Sequence, residues 1–397
     1  MEKTRIKGNV HYVGVNDRNK HRFEAMWPLP YGVSYNSYLI DDEMVALVDT
    51  VDICYFEVYL RKIKQVIGER PINYLIINHM EPDHSGSIRL IKQHYPGIII
   101  VGNKQTFGMI EGFYGVTGEQ YLVKEGDFLA LGHHKLRFYM TPMVHWPETM
   151  MTFDETDGVL FSGDGFGCFG TVDGGFLDTR INVDKYWGEM VRYYSNIVGK
   201  YGSPVQKALQ KLGGLPISAI CSTHGPVWTE NIAKVIGIYD RLSRYDADEG
   251  VVIAYGSMYG NTEQMAEAIA EELSAQGVKN IVMHNVTKSH PSYIIADIFR
   301  YKGLIIGSPT YSNQIFPEVE ALLSKILLRE VKGRYLGYFG SFTWAGAAVK
   351  RLAEFAEKSK FELVGDPVEM KQAMKDLTYT QCENLARAMA DRLKKDR

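Results

Sequence analysis

Apolar residues recur in short, separated runs before residue 245 and in a regular strand–loop–helix cadence after it. In the first part, residues 38–40 and 44–48 read as two strands joined at Asp41-Asp42-Glu43. Residues 74–78 form a short apolar strand, followed by a loop and a helix over about 86–94, and 97–101 form another buried strand. Residues 135–141 make a strand that runs into Pro142. Residues 150–153 and 159–162 flank Glu155-Thr156-Asp157-Gly158, a hairpin signal, and 217–221 give one more strand.

The polar stretch 245–250 ends in Gly and marks a boundary, so the chain divides into domains over 1–248 and 249–397. Beyond it the spacing predicts strands at 251–255, 278–284, 303–307, 335–339 and 361–364. Between and after them come helices at 263–277 and 317–328, one from about Gly346, and a closing helix over 379–395. That alternation is the grammar of an α/β doubly wound parallel sheet.

Composition narrows the class. A chain of 397 residues suits two domains, and 45% hydrophobic with 23% charged residues is ordinary for a globular protein. A net charge of −3 gives no electrostatic case for nucleic acid or an anionic membrane. No apolar run is long enough to span a bilayer, and the N-terminus lacks a signal-peptide core, so a cytoplasmic setting is expected. Cys54, Cys168, Cys221 and Cys382 are widely spaced with no C-x-x-C pair. That argues against a disulfide framework, a zinc knuckle and an in-chain rubredoxin centre.

The densest chemistry lies in Asn78-His79-Met80-Glu81-Pro82-Asp83-His84-Ser85-Gly86, where an apolar strand ends and four potential ligands follow. On an extended backbone His79, Glu81 and Asp83 point the same way and His84 faces the other side of the loop. His145, Asp164 and His224 each follow the end of another apolar strand. One metal does not need seven ligands; two metals sharing a carboxylate do. Imidazole mixed with carboxylates suits Fe or Mn, whereas an all-His or Cys-rich set leans towards zinc. Glu81 adds negative charge that stabilises the higher oxidation states of iron.

A second site is read from three loops at strand ends. Strand 251–255 runs into Gly256-Ser257-Met258-Tyr259-Gly260-Asn261-Thr262, and a helix begins at Glu263. Backbone N–H groups and the positive helix end make this an anion site, and a loop without a cation suits a phosphate monoester held by neutral donors. Ser308, Pro309, Thr310, Tyr311 and Asn313 follow a later strand, and Ser341, Phe342, Thr343, Trp344 and Gly346 the next. Tyr311 or Trp344 can cover a ring face by stacking.

The first constellation resembles the metallo-β-lactamase fold, an αβ/βα sandwich whose motif is H-x-H-x-D-H followed by a distant His, Asp and His. Glu81 departs from it by standing where hydrolases carry a second His. The first glycine-rich loop resembles the flavodoxin FMN-phosphate loop, with Ser257, Tyr259, Asn261 and Thr262 as donors. With His145-Trp146-Pro147, the whole chain is similar to the flavodiiron proteins (A-type flavoproteins). The resemblance implies that His79, Glu81 and His145 hold one iron, that Asp83, His84 and His224 hold the other, and that Asp164 bridges them. It also implies FMN and reduction of O2 to water, of NO to N2O, or both. An external donor, such as a rubredoxin-like protein or a reduced deazaflavin or flavin reductase, would feed the FMN. Assembly would be a head-to-tail homodimer or a dimer of dimers. Two other readings stand beside it: a zinc hydrolase carrying a flavodoxin module, and a plain flavin electron carrier. Tyr193, Tyr194 and Trp146 are candidates for tuning substrate choice.

Overall fold

A computed structural model describes residues 3–396, in which no helix is long and apolar enough to cross a membrane. The described chain forms two compact units. One takes the chain up to Tyr194 and again Tyr201–Ser243; the other takes Ser195–Lys200 and everything from Arg244.

The first unit is built on two sheets. The seven-stranded sheet runs in the order Arg5–Lys7, Val10–Tyr12, Tyr38–Ile40, Ala46–Val48, Tyr74–Ile76, Ile99–Gly102, Gln120–Leu122. Its first four strands are antiparallel and the rest parallel. The five-stranded sheet runs Phe128–Ala130, Lys135–Met140, Met150–Asp154, Val159–Gly163, Ala219–Ser222, antiparallel but for its last pair. Alternate residues of the two sheets meet in one core, with Ile40, Val48, Ile76 and Val101 from one and Leu136, Phe138, Phe161 and Cys221 from the other. Helix Phe56–Ile67, not anticipated from the sequence, buries Phe56, Tyr59, Leu60, Ile63, Val66 and Ile67 at three- and four-residue spacing. This is the expected αβ/βα sandwich.

One local reading needs correction. The ligand loop is not extended throughout, because Pro82–Ser85 forms a helical turn and Ile88–His94 a second helix. Pro82 stands at the first helical position, where its fixed φ fits and its missing N–H costs nothing. Asp83 and His84 are therefore turn residues, and His84 does not face away from its neighbours.

The second unit is a parallel sheet in the order Ile281–Asn285, Asp248–Tyr255, Tyr301–Tyr311, Tyr335–Phe342, Glu362–Leu363, with Val368–Lys371 also paired to Tyr335–Phe342. Val251, Val252, Ile253 and Ala254 are all fully buried, as in a sheet covered on both faces. Strand Tyr301–Tyr311 extends beyond the expected 303–307 because Ser308 and Pro309 keep pairing with Gly340 and Ser341. The chain then folds back through Ser312 and Asn313, both with positive φ (48° and 56°), to Gln314–Ile315. Helix Pro291–Arg300 was also not anticipated.

Candidate functional site

Strand ends bring all seven predicted ligands together, and all are buried, with Glu81 and Asp83 the most accessible at 8%. Asp164 is central. Its Oδ2 lies 3.0 Å from His145 Nε2 and 3.5 Å from His79 Nε2, while its Oδ1 lies 3.2 Å from His84 Nε2 and 3.6 Å from His224 Nε2. Glu81 Oε2 completes the first group at 3.1 Å from His145 and 3.7 Å from His79. Asp83 completes the second, with Oδ2 3.3 Å from His224 and Oδ1 3.4 Å from His84.

The surroundings fix which nitrogens face inward. His79 Nδ1 lies 2.7 Å from Glu148 Oε1, which also accepts from the Met80 N–H at 2.9 Å. His224 Nδ1 donates to the Ser34 carbonyl at 2.7 Å, so in the neutral ring its Nε2 lone pair points into the site. The Thr223 hydroxyl donates to Asp164 Oδ1. Asn36 Nδ2 donates to the carbonyls of Ser222 at 2.9 Å and Gly225 at 2.8 Å, pinning the His224 loop.

The donor set fits cations. Both carboxylate oxygens of Asp83, both ring nitrogens of His84 and Nε2 of His224 are buried without a hydrogen-bond partner. Each such atom costs about 1–3 kcal/mol unless something binds it. The charges agree. Burial opposes ionisation of Glu81 and Asp164, yet the histidines around them hold both below the usual carboxylate range. Burial and its anionic neighbours push Asp83 up. Burial opposes protonation of His84, but Asp83 and Asp164 push it up to about 10, and His79 and His145 are raised for similar reasons. The cluster thus favours positive charge at its centre.

A cleft of about 650 Å³ in the first unit is lined by Glu81 and Asp83 together with Phe23, Ile53, Phe113, Tyr114, Lys20 and Arg89. Trp146 packs edge-on against His79 at 5.2 Å, and Tyr193 lies 5.8 Å from the His224 ring. Tyr194 instead packs on Tyr239. Glu148, Thr223, Ser34 and Asn36 were not anticipated. Only Glu148 carried a local signal, as a lone carboxylate three residues after His145.

The second unit places the three loops at the carboxyl ends of neighbouring strands. Ser257 Oγ accepts from Gly260 N at 3.1 Å and Glu263 N at 3.4 Å, which turns the chain into helix Asn261–Ala275. Gly260 has φ 87°, open to glycine at no steric cost. Thr262 Oγ1 and Ser341 Oγ are 2.9 Å apart and tie the first loop to the third. Ser308 Oγ accepts from Phe316 N at 3.2 Å, and Thr310 Oγ1 from Ala347 N at 3.0 Å and Ala348 N at 3.2 Å, so both brace the backbone. Tyr259, Trp344 and Tyr311 are exposed at 88%, 80% and 48%. These are large aromatic faces left to solvent at the loops beside the start of helix Asn261–Ala275.

The comparisons with known proteins follow the same division. Residues 33–225 match the ODP family beta lactamase, and 253–384 match flavodoxin. The chain is 32% identical over 363 residues to the anaerobic nitric oxide reductase flavorubredoxin of Vibrio vulnificus, covering 90% of this chain and 73% of that one. Among solved structures it resembles the rubredoxin oxygen:oxidoreductase of Desulfovibrio gigas, with TM-score 0.94, 31% identity and 98% and 97% of the two chains covered. It also resembles the flavodiiron protein of Giardia intestinalis, with TM-score 0.91, 26% identity and 98% and 97% covered.

Proposed function

The chain belongs to the flavodiiron proteins, oxidoreductases with FMN and a diiron centre, and from that premise we propose that it reduces O2 to water, NO to N2O, or both. Residues 1–248 would hold the irons and 249–397 the FMN. His79, Glu81 and His145 would hold one iron, Asp83, His84 and His224 the other, and Asp164 would be shared between them. The observation that carries this is the placement of Asp164, one carboxylate oxygen towards each three-residue group. When bound, two ferrous ions supply open coordination positions and two electrons, and FMN supplies the electrons that reload them.

The chain's own residues do the rest. Glu148 and the Ser34 carbonyl hold His79 and His224 with Nε2 inward. Glu81 supplies the charge that favours iron over zinc, which weighs against the hydrolase reading. In the second unit the helix end at Asn261 and the hydroxyls of Ser257 and Thr262 would receive the phosphate, and Tyr259, Tyr311 and Trp344 would offer faces to the ring. Electrons come from an external donor of the rubredoxin or flavin-reductase kind. A head-to-tail dimer would place the FMN of one chain in the aromatic-walled cleft beside Glu81 of its partner.

The test is anaerobic. Protein from iron-replete expression should hold about one FMN and two irons per chain. Stopped-flow mixing of the reduced protein with O2, and separately with NO, should reoxidise the flavin within turnover with at least one of them. Zinc in place of iron, or no reoxidation by either gas, would overturn the reading.

A further inference from the structure

The loop carrying Asp164 also leads to a pair of indoles that the reading above leaves unused. Two residues beyond Asp164, the Phe166 carbonyl accepts the Trp228 indole N–H at 3.3 Å. Trp228 follows His224 on the neighbouring ligand loop and is fully buried. Its ring stacks on Trp187, with centroids 5.1 Å and planes 23° apart, and Trp187 is only half-buried. The pair therefore runs from two ligand loops to the surface of the first unit. The Phe166 ring itself packs on Tyr239, with centroids 5.0 Å apart. The outer end of the pair is covered by a cation. There Lys234 Nζ stands 3.6 Å from the centroid of Trp187, where a cation opposes removal of an electron from the ring.

We propose that Trp228 and Trp187 form an electron path that discharges the metal centre when O2 arrives and FMN has no electrons to give. This rests on the oxygen-reductase reading. Reducing O2 to two waters takes four electrons and four protons, and two ferrous ions supply two of those electrons. With FMN oxidised the reaction stops two electrons short, and the oxidising equivalents threaten the ligand histidines. Trp228 gives one electron to the centre and Trp187 refills Trp228. Trp187 is left oxidised, releases its N–H proton to water and becomes a neutral radical. An external one-electron reductant of the thiol or ascorbate class returns the electron, water returns the proton, and a second passage completes the deficit. Lys234 keeps Trp187 hard to oxidise, so the path stays silent while FMN is reduced. Reduction of two NO to N2O takes only two electrons, so NO does not engage it.

The iron- and FMN-loaded protein is given two electron equivalents per chain, mixed with excess O2 and freeze-quenched for electron paramagnetic resonance. The wild type should show an organic radical whose spectrum narrows with indole-deuterated tryptophan. The signal should fall severalfold at four equivalents or with NO. Trp187→Phe should lose the signal and inactivate in fewer turnovers, while Lys234→Met should strengthen it. Peptide mapping should find oxidised Trp187 in the wild type and ligand-loop oxidation in Trp187→Phe. Equal signals in wild type, Trp187→Phe and Lys234→Met, or a signal equally strong with NO, would overturn the proposal alone. Absence of O2 uptake by the wild type would overturn the oxygen-reductase reading and the path with it. If Trp187→Phe fails to retain iron, the rise expected in Lys234→Met decides the matter.

Discussion

Replacing Glu148 by Gln isolates one contact whose geometry is fully specified. The carboxylate is buried; Oε1 lies 2.7 Å from His79 Nδ1 and accepts from Met80 N at 2.9 Å, and Oε2 has no partner. Burial would raise its pKa, but the His79 contact outweighs burial and keeps it charged. Gln preserves the shape and one acceptor. It turns a charge-assisted hydrogen bond into a neutral one, a loss of about 1–1.5 kcal/mol, while the Oε2 position stays an unpaired buried polar group in both proteins. The less basic His79 should then bind its iron about 10- to 100-fold more weakly. Asp83, His84 and His224 do not contact Glu148, so the second iron should change much less. Anaerobic titration with a ferrous chelator of known affinity should give two separated release steps where the wild type gives closely spaced ones, with FMN absorbance unchanged. Release curves that superimpose on the wild type would show that Glu148 does not set the basicity of His79.

Other variants probe other links. Asp164→Ala should lose both irons together, because each carboxylate oxygen faces a different group; one iron kept at full occupancy would make Asp164 a terminal ligand. Glu81→His should shift metal preference towards zinc and abolish gas reduction while FMN stays bound, and retained iron with full turnover would refute that. A heterodimer of one Asp164→Ala chain with one Asn261→Asp, Thr262→Asp chain should regain activity that neither homodimer has. A dead heterodimer would exclude electron transfer between chains. Away from the metal, burial opposes the charge on His134, but its 2.9 Å bond to Asp154 with the nearby Asp157 and Asp42 raises its pKa above 6.5. That stabilisation is complete below the unfolded value and fades as pH rises through the folded one. The Tm gap between wild type and His134→Gln should therefore be widest near about pH 6 and narrow towards alkaline pH, and a constant gap would refute it.

The ligands were legible because each is a strongly typed residue at the end of an apolar run, and sheets gather strand ends at one rim. Their supports were not, because Glu148 meets His79 across 69 residues and Ser34 meets His224 across 190. No local pattern encodes such a meeting. The turn at Pro82–Ser85 was within reach, since Pro at a first helical position is a start signal, but the alternation of His79, Glu81 and Asp83 suggested a strand. Helix Phe56–Ile67 carries a stripe that is readable in the sequence. In strand Tyr301–Tyr311 the run Gly307-Ser308-Pro309 has the composition of a turn, which hides the strand's far end in the sequence. Only pairing with the adjacent strand holds Ser308 and Pro309 extended.

Ser195–Lys200 belongs to the flavin-binding unit although the chain on both sides belongs to the other. Within that unit Asn196 Nδ2 donates to the Ser292 carbonyl at 3.1 Å, and the Tyr245 hydroxyl donates to the Gly199 carbonyl at 3.2 Å. A Cβ at Gly199 would lie 2.6 Å from Phe299 Cζ, so the backbone there presses against the ring. The flavin module is therefore not a cassette that one cut can release. A fragment starting at residue 244 would lack a hexapeptide of its own fold, and gene fusions that transplant it need those six residues supplied from elsewhere in the chain.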